Sequence, residues 1–379
     1  MGIAEAWSAL GDVARQVTAL ESYVTLVDNS AQAHAMLAEA YDELGRTDDA
    51  IDAYGRAVER DPRMHDKVER LAVIFTERAD WPSAAFHLRN LVAAAPTAPR
   101  YLLLARAEQR LTRISEALRA VDEALELDPT STDAQRLKAM LWADRNEIEP
   151  ARAVLEELVR RDENDLESRF ELARIYEGTQ QYAPARVHLR VVTTRAPRHV
   201  EAQLLLARVL EAIENPKAAA ECYAAAAEAA GLAPDVLVAW AGCLLATNDT
   251  GRAESVLKEA LDVDPRNSRA HVALGMLYYK TSRPDPAVAS FTRAVELSPE
   301  DAELRAALGA AHSKAGRPRE AADAYAKAIA LGRKTPQMHF NLGVALSKAG
   351  DTKAAKQQVV ALEQLAAKDL ADRLRTMIS

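Results

Sequence analysis

Residues 268–301 read SRAHVALGMLYYKTSRPDPAVASFTRAVELSPED, and this stretch decides the fold of the whole chain. Leu274, Gly275 and Tyr278 follow His271 at the three-, four- and seven-residue intervals of one helix face. Pro284 and Pro286 then interrupt the pattern. A second apolar face follows and ends at Ser298-Pro299, and its members are Ala287, Phe291, Ala294 and Val295. The stretch therefore predicts two helices joined by a tight turn.

The alanine near the start of this second helix recurs along the chain. Eight of the nine steps are 34 residues and one is 33, through Ala50, Ala84, Ala117, Ala151, Ala185, Ala219, Ala253, Ala287, Ala321 and Ala355. Aligned on these alanines, residues 31–369 divide into ten units: 31–64, 65–97, 98–131, 132–165, 166–199, 200–233, 234–267, 268–301, 302–335 and 336–369. A fixed period of this length is typical of stacked repeats, in which each unit packs mainly on its neighbours.

Small residues also occupy the eighth position of every unit. They are Ala38, Ala72, Ala105, Ala139, Ala173, Ala207, Ala241, Gly275, Gly309 and Gly343. Two small residues that face each other allow paired helices to approach closely. Glycine or asparagine follows several first helices, where a left-handed cap is expected, at Gly45, Asn146, Asn248, Gly316 and Gly350. Prolines mark both ends of many second helices.

The repeated pattern resembles that of the tetratricopeptide repeat family. The motif Leu37-Ala38…Tyr41…Ala50…Tyr54…Ala57…Pro62 matches the family pattern position by position, and the resemblance covers residues 31–369. It implies an all-α, right-handed superhelical solenoid of about ten helix–turn–helix units. Residues 1–30 are expected to form a degenerate N-terminal repeat, with Trp7, Leu10 and Gly11 in its first helix. Residues 370–379 are expected to form a C-terminal capping helix, in which the last second helix runs on through Leu370, Leu374 and Met377.

Composition and motifs argue against several functional classes. The net charge of −8 disfavours broad binding of nucleic-acid phosphates. The first residues lack the basic and apolar regions of a secretory signal, and the most apolar stretch, 231–246, is too short to span a bilayer. We therefore expect a cytoplasmic protein without direct membrane insertion. The alanine and arginine content suits a GC-rich bacterial source.

The sequence shows no catalytic or metal-binding constellation. It contains no glycine-rich phosphate loop, no HExxH or GxSxG motif and no Cys/His cluster. Histidines on the helix faces are most simply packing or boundary residues, and Cys222 and Cys243 are expected to behave as small buried hydrophobes. The sequence therefore predicts no enzymatic activity, no cofactor and no metal.

The resemblance implies that positions two, five, nine and twelve of each first helix line a concave binding groove. Arginines on or beside this stripe in the central units are Arg106, Arg110, Arg136, Arg174 and Arg208. Such a ladder suits an acidic segment of a partner, because guanidinium groups form bidentate bonds to carboxylates. The alternative is pairing within the molecule, with acids such as Glu167, Glu171, Glu177, Glu201 and Glu211.

Apolar side chains occupy the same stripe in the later units. The candidate binding residues there are Val272, Met276, Tyr279, Phe340 and Asn341, with Val238, Ala306, Ala310 and Val344 nearby. An exposed apolar stripe suits an apolar or amphipathic helix from a partner, whereas close packing of successive first helices would bury it. The family's carboxylate clamp, with lysine at position five and asparagine at position nine, is disfavoured because no unit combines the two residues.

Three functions compete at this stage. The leading hypothesis is a non-enzymatic scaffold or adaptor that binds protein segments. The second is the interaction module of a longer enzyme or signalling protein, such as a transferase. The third is RNA binding by a related helical repeat, which the acidic composition disfavours.

Overall fold

The computed structural model describes residues 1–378, and the regular elements in that range are 23 α-helices without a β-strand. The all-α prediction is therefore confirmed. Backbone contacts divide the chain into two compact units, Met1–Ile175 and the part that begins at Tyr176, with the boundary inside one helix. The repeat count and the handedness of the solenoid stay predictions.

The first unit contains ten complete helices and most of an eleventh. They are α1 (Gly2–Ala9), α2 (Val13–Leu26), α3 (Ala31–Glu43), α4 (Thr47–Arg60), α5 (His65–Glu77), α6 (Trp81–Ala94), α7 (Ala98–Arg110), α8 (Ile114–Leu127), α9 (Thr132–Asp144), α10 (Ile148–Arg161) and α11 (Leu166–Gly178).

The second unit contains the remaining twelve helices. They are α12 (Tyr182–Arg195), α13 (Val200–Ala212), α14 (Pro216–Ala229), α15 (Pro234–Ala246), α16 (Thr250–Val263), α17 (Ser268–Lys280), α18 (Pro284–Leu297), α19 (Ala302–Lys314), α20 (Pro318–Ala330), α21 (Pro336–Lys348), α22 (Thr352–Gln364) and α23 (Lys368–Ile378).

The odd-numbered helices from α3 to α21 are the first helices of the repeated pairs, and the even-numbered helices from α4 to α22 are the second helices. Within each unit, a helix packs on the next helix or the next but one along the chain. Every alanine of the 34-residue series and every alanine at the eighth position is fully buried. These alanines therefore lie where the helices approach one another most closely.

The turn inside each pair has a left-handed residue two positions after the first helix. Gly45, Asn146, Asn248, Gly316 and Gly350 all have positive φ, as predicted. The same conformation occurs at Ala79, Thr112, Gln180, Glu214 and Ser282, which carry no such sequence signal. The turn geometry is therefore uniform although its residues are not.

Prolines end several second helices at the same distance. Pro62, Pro96, Pro129, Pro197, Pro265 and Pro299 each lie two residues beyond the helix end. Helix α10 ends at Arg161 without such a proline. The pair α9 and α10 also carries Lys138 where the other pairs carry leucine or tryptophan. Its Nζ lies 2.6 Å from Asp122 Oδ1 and 4.9 Å from the centre of the Trp142 ring, so the ammonium group is paired.

The C-terminal region differs from the expected continuous helix. Helix α22 ends at Gln364, Ala366 adopts a φ of 58°, and α23 begins at Lys368 as a separate element. Leu374 of α23 is fully buried and contacts the backbone face of α21 at Gly343. The last helix thus folds back on α21 and α22 instead of extending α22.

Candidate partner-binding surfaces

A network of ion pairs neutralises Arg136, one of the stripe arginines in the first unit. Only 12% of the Arg136 side chain is exposed, and its guanidinium lies 2.9 Å from Asp165 and 3.0 Å from Glu167 and also pairs with Asp133. Buried Ser168 donates to the same Asp165 carboxylate. Arg136 is therefore part of a closed network, in contrast to the prediction of an open ladder.

The other predicted arginines are more exposed. Arg174 lies 2.7 Å from Glu171, whose pKa is raised because burial disfavours its charged form. Arg106 reaches Asp133 only at 3.9 Å, and Arg110 lies over the Trp81 ring at 5.6 Å. In the second unit, Arg208 lies 3.6 Å from Glu177. These four guanidinium groups are held loosely enough to exchange partners.

A set of ion pairs that was not predicted from the sequence joins successive first helices in the first unit. Arg70 on α5 binds Asp42 on α3 through two hydrogen bonds, at 2.6 and 2.8 Å, and Arg100 on α7 binds Glu69 at 2.8 Å. The partners are 28 and 31 residues apart. The signal in the sequence was a pair of opposite charges separated by slightly fewer residues than one repeat.

An exposed apolar pair lies on α17 in the second unit. Met276 is 49% exposed and Tyr279 is 36% exposed, while Val272 is half-buried. Lys314 of α19 donates from Nζ to the Tyr279 carbonyl oxygen at 2.7 Å, and its ammonium lies 4.6 Å from the Tyr279 ring centre. The tyrosine ring is therefore fixed beside a cation on the surface.

Lysines end three successive first helices at this side of the second unit. Lys280, Lys314 and Lys348 occupy the last positions of α17, α19 and α21, and all three are exposed. Within residues 1–378, none of them forms an ion pair with a carboxylate. Together with Met276 and Tyr279, they form a surface that we call the basic–apolar face.

Phe340 and Asn341 are placed differently from the prediction. Phe340 is only 8% exposed and packs with Leu362, Ala371 and Leu374, while Arg373 of α23 lies over its ring at 5.2 Å. Asn341 is half-buried and accepts a hydrogen bond from Gln337 at 2.8 Å. Phe340 is therefore a core residue under α23, because the C-terminal helix folds back over it.

A cavity of about 790 Å³ opens between α4, α5 and α6 in the first unit, and sequence reasoning did not identify it. His87 stacks on Phe75 with ring centres 5.5 Å apart, and exposed Phe86 meets its edge at 5.3 Å. Burial lowers the pKa of His87. The cavity therefore offers an aromatic wall with a neutral imidazole near pH 7.

Burial shifts the pKa values of both cysteines, and the acidic groups of the described range form no metal-binding cluster. Burial raises the pKa of Cys222 to about 11 and that of Cys243 to about 12, so both thiols stay protonated near neutral pH. Among residues 1–378, no three His, Cys, Asp or Glu side chains are arranged to hold a metal ion. No helix in this range combines the length and apolar character that a bilayer crossing requires.

Three family models of the tetratricopeptide repeat match the chain, at residues 31–64, at 102–165 and 306–369, and at 244–311. Together they cover more than half of its length. The chain belongs to the tetratricopeptide repeat family. The repeat fold is typically a non-catalytic module, and membership supports a role in protein interaction in general. A comparison with curated proteins found no match.

Solved structures of low sequence identity also match this tetratricopeptide repeat chain. The APC/C hetero-tetramer Cut9–Hcn1 matches with 15% identity and a TM-score of 0.39, over 99% of this chain and 88% of the other. A tetratricopeptide repeat protein from Parabacteroides merdae has 15% identity and a TM-score of 0.43, over 65% and 98%. YrrB, described as having an unusual peptide-binding site, has 16% identity and a TM-score of 0.43, over 47% and 92%. Such low scores carry no functional argument.

Proposed function

We propose that the chain is a non-enzymatic scaffold that binds a segment of a partner protein on its first helices. The observation that carries the proposal is the basic–apolar face, where Lys314 contacts Tyr279 near exposed Met276 and where Lys280 and Lys348 end α17 and α21. Within residues 1–378, none of the three lysines has an acidic partner. Methionine and tyrosine side chains adapt to apolar partners and are common in protein interfaces. The repeat family supports interaction in general, and the exposed apolar and basic side chains of this face support it as the place where a partner binds.

The lysines indicate the chemistry of the partner. A cation at a helix C-terminus is favoured by the helix dipole, which offers an explanation without a partner. However, the same position carries Glu43, Glu77 and Asp144 at the ends of α3, α5 and α9, so the fold itself does not require lysine. We infer an amphipathic helix with an apolar stripe flanked by aspartate or glutamate.

The loosely held arginines form a second, weaker proposal for an acidic segment. Arg106, Arg110 and Arg174 in the first unit remain exposed, and a carboxylate-bearing segment can exchange with their present contacts. Arg136, whose side chain is only 12% exposed and held by ion pairs, is not part of this surface. The basic–apolar face is favoured over these arginines, because its lysines do not have to break an ion pair within the chain before they bind a partner.

Site-specific photo-crosslinking in cells tests the proposed function. Met276→p-benzoylphenylalanine is expected to form an adduct with a protein, and the crosslinked segment should carry acidic residues beside apolar ones. The adduct should disappear when Lys280→Glu and Lys314→Glu are added, because the acidic flank would then be repelled. Val263→p-benzoylphenylalanine, at an exposed position on second helix α16, is the matched control.

The outcomes separate the proposal from its competitors. Equal adducts from the Met276 and Val263 positions would indicate non-specific contact and would contradict the basic–apolar face. Adducts that persist in the double lysine variant would contradict an acidic partner. Substrate turnover by the purified chain would contradict the non-enzymatic scaffold.

A further inference from the structure

Helix α12 in the second unit carries a set of arginines without acidic partners. Residues 178–200 contain Arg186, Arg190, Arg195 and Arg198 and no aspartate or glutamate. Within residues 1–378, none of these arginines forms an ion pair. The acid-free stretch 81–107 is different, because Arg89, Arg100 and Arg106 all reach a carboxylate there.

The arginines flank the outward side of the helix. Leu189 and Val192 are fully buried and fix the packing side of α12, and Val187 on the other side is 58% exposed. Arg186 and Arg190 are one helical turn apart, on the flank of Val187. Arg195 ends the helix, and Arg198 follows in the connection to α13. Arg190, Arg195 and Arg198 are exposed and Arg186 is half-buried, so this part of the chain presents four arginines together with exposed Val187, and we call these five residues the strip.

Glu221 of α14 is the acid whose influence reaches the same neighbourhood. The pKa of the Cys222 thiol is raised first by burial and then by the charge of Glu221, whereas the Arg190 charge acts to lower it. The charges of Arg190 and Glu221 therefore act on the same thiol in opposite directions, and within residues 1–378 the two residues form no ion pair with each other. The guanidinium of Arg190 is left available to another carboxylate.

Helix-end electrostatics account for only part of this strip. Arg195 lies in the last turn, where a cation interacts favourably with the helix dipole. Arg186 and Arg190 lie in the middle of the helix, where the dipole gives no such benefit. Arginines on other second helices have acids one turn away, as in Arg119 with Glu116 and Arg293 with Glu296.

We propose that the strip formed by Arg186, Val187, Arg190, Arg195 and Arg198 binds an acidic segment of a partner protein. Planar guanidinium groups form paired hydrogen bonds to carboxylates, and exposed Val187 suits an apolar side chain between them. Nucleic acid is disfavoured, because the chain carries a net charge of −8 and the strip exposes no aromatic ring for stacking bases. The strip lies on a second helix and is separate from the basic–apolar face.

Fluorescence anisotropy with a labelled peptide of glutamate and leucine tests the strip on the full chain. Arg186→Glu with Arg190→Glu is expected to weaken binding at least about tenfold at roughly 100 mM salt. Lys353→Glu with Lys356→Glu changes the net charge equally on exposed positions of α22 and should leave affinity within about twofold. Circular dichroism of both variants should match that of the parent.

Further probes give the opposing outcomes. A matched glutamine–leucine peptide should bind much more weakly, because it lacks the carboxylates. Absence of binding by the parent chain, or equal losses in the two double variants, would overturn the strip as an acidic-peptide site. Tighter binding of single-stranded RNA or phosphatidylserine vesicles through the same arginines would also overturn it. Because the same peptide also fits the basic–apolar face, the parent chain in these measurements carries Met276→Ala, Lys280→Glu and Lys314→Glu, so that loss of binding at the strip is distinguishable from failure of the proposed function.

Discussion

Gly275 and Gly309 allow an aromatic ring of the facing helix to lie directly against their backbone. A Cβ atom at Gly275 would fall 2.8 Å from the Phe291 ring, and one at Gly309 would fall 2.9 Å from the Tyr325 ring. Such distances are shorter than van der Waals contact. The sequence indicated that the eighth position must be small, and the structure shows that the ring occupies the space of the missing methyl group.

Gly275→Ala is expected to destabilise the chain by about 1–3 kcal/mol, because Phe291 must move out of its packed position. Alanine favours a helix over glycine by about 1 kcal/mol, so helix propensity alone predicts that the substitution stabilises the chain. A loss of stability would therefore show that the clash with Phe291 outweighs this gain. Gly251→Ala on α16 is the control, since a methyl group added there would have no neighbouring atom within 4 Å. The urea midpoint should fall for Gly275→Ala and rise or stay constant for Gly251→Ala. A rise in both would contradict the packing argument.

The left-handed turn residues show what a sequence can and cannot predict at this scale. Gly45 and Asn146 were predictable, because both residue types tolerate positive φ. Thr112 and Glu214 adopt the same conformation against their own preference. Helix packing on both sides imposes the turn there. The left-handed conformation costs about 1–2 kcal/mol per residue, which is small beside the free energy gained when each pair buries its apolar surface.

His87 is expected to make stability depend on pH. Burial places its pKa below the ordinary value, so the folded chain binds fewer protons than the unfolded chain. The stability that the chain gains from keeping His87 neutral is fully present above about pH 6.5. It is lost as the pH falls from that value toward the pKa of His87 in the folded chain. His87→Phe should preserve the stack on Phe75 and reduce the fall in the unfolding midpoint between about pH 7.5 and about pH 5.5. An unchanged fall would contradict this assignment.

At the scale of the element, α7 contains a buried charge that its pairing with α6 must compensate. Glu108 is 1% exposed and accepts hydrogen bonds from Arg89, at 2.7 Å from Nε, while Arg113 lies 3.6 Å away. The equivalent position is Phe75 in the preceding pair. An apolar residue therefore suits this position of the fold without an ion pair.

Arg89→Ala should destabilise the chain by roughly 1–3 kcal/mol, because it removes the main partner of a buried carboxylate. Adding Glu108→Phe should restore most of the loss, since replacement of a buried ion pair by packed apolar groups is often neutral. Thermal unfolding of the two variants and of Glu108→Phe alone gives the coupling between the residues. Additive losses in the double variant would argue against the buried pair.

Helix α23 shows why one element was mispredicted. No glycine or proline follows Gly350, so the sequence contained no stop signal between α22 and α23. The chain nevertheless turns at Ala366, and Ala371 and Leu374 are then buried with Phe340. Burial of these side chains offsets the cost of one left-handed alanine. Because α23 folds back, Phe340 is covered and does not belong to the predicted binding stripe. Local sequence patterns could not predict this, since they do not show which helix covers the end of the repeat stack.

At the scale of the whole molecule, helices pack mainly on their neighbours along the chain. We therefore expect the destabilising effect of a core substitution to stay within the neighbouring helices. Within each of the two units, helices pack on the next helix or the next but one. Ala151 of α10 is fully buried, and leucine there should overpack the crossing with α9 at a cost of about 1–3 kcal/mol. In a stacked repeat, a perturbation is shared mainly with adjacent pairs.

Hydrogen exchange with mass spectrometry checks this locality. Ala151→Leu should speed exchange in α7 to α10 and leave α19 to α22 close to the parent, because a stacked repeat shares a perturbation mainly with adjacent pairs. Ala253→Leu, at another fully buried position of the same series, should shift the faster exchange to α13–α18. Ala289→Leu adds the same side chain at an exposed position on α18 and should change little. Uniformly faster exchange in either buried variant would mean that the chain unfolds as one cooperative body, and the short-range packing argument would then fail.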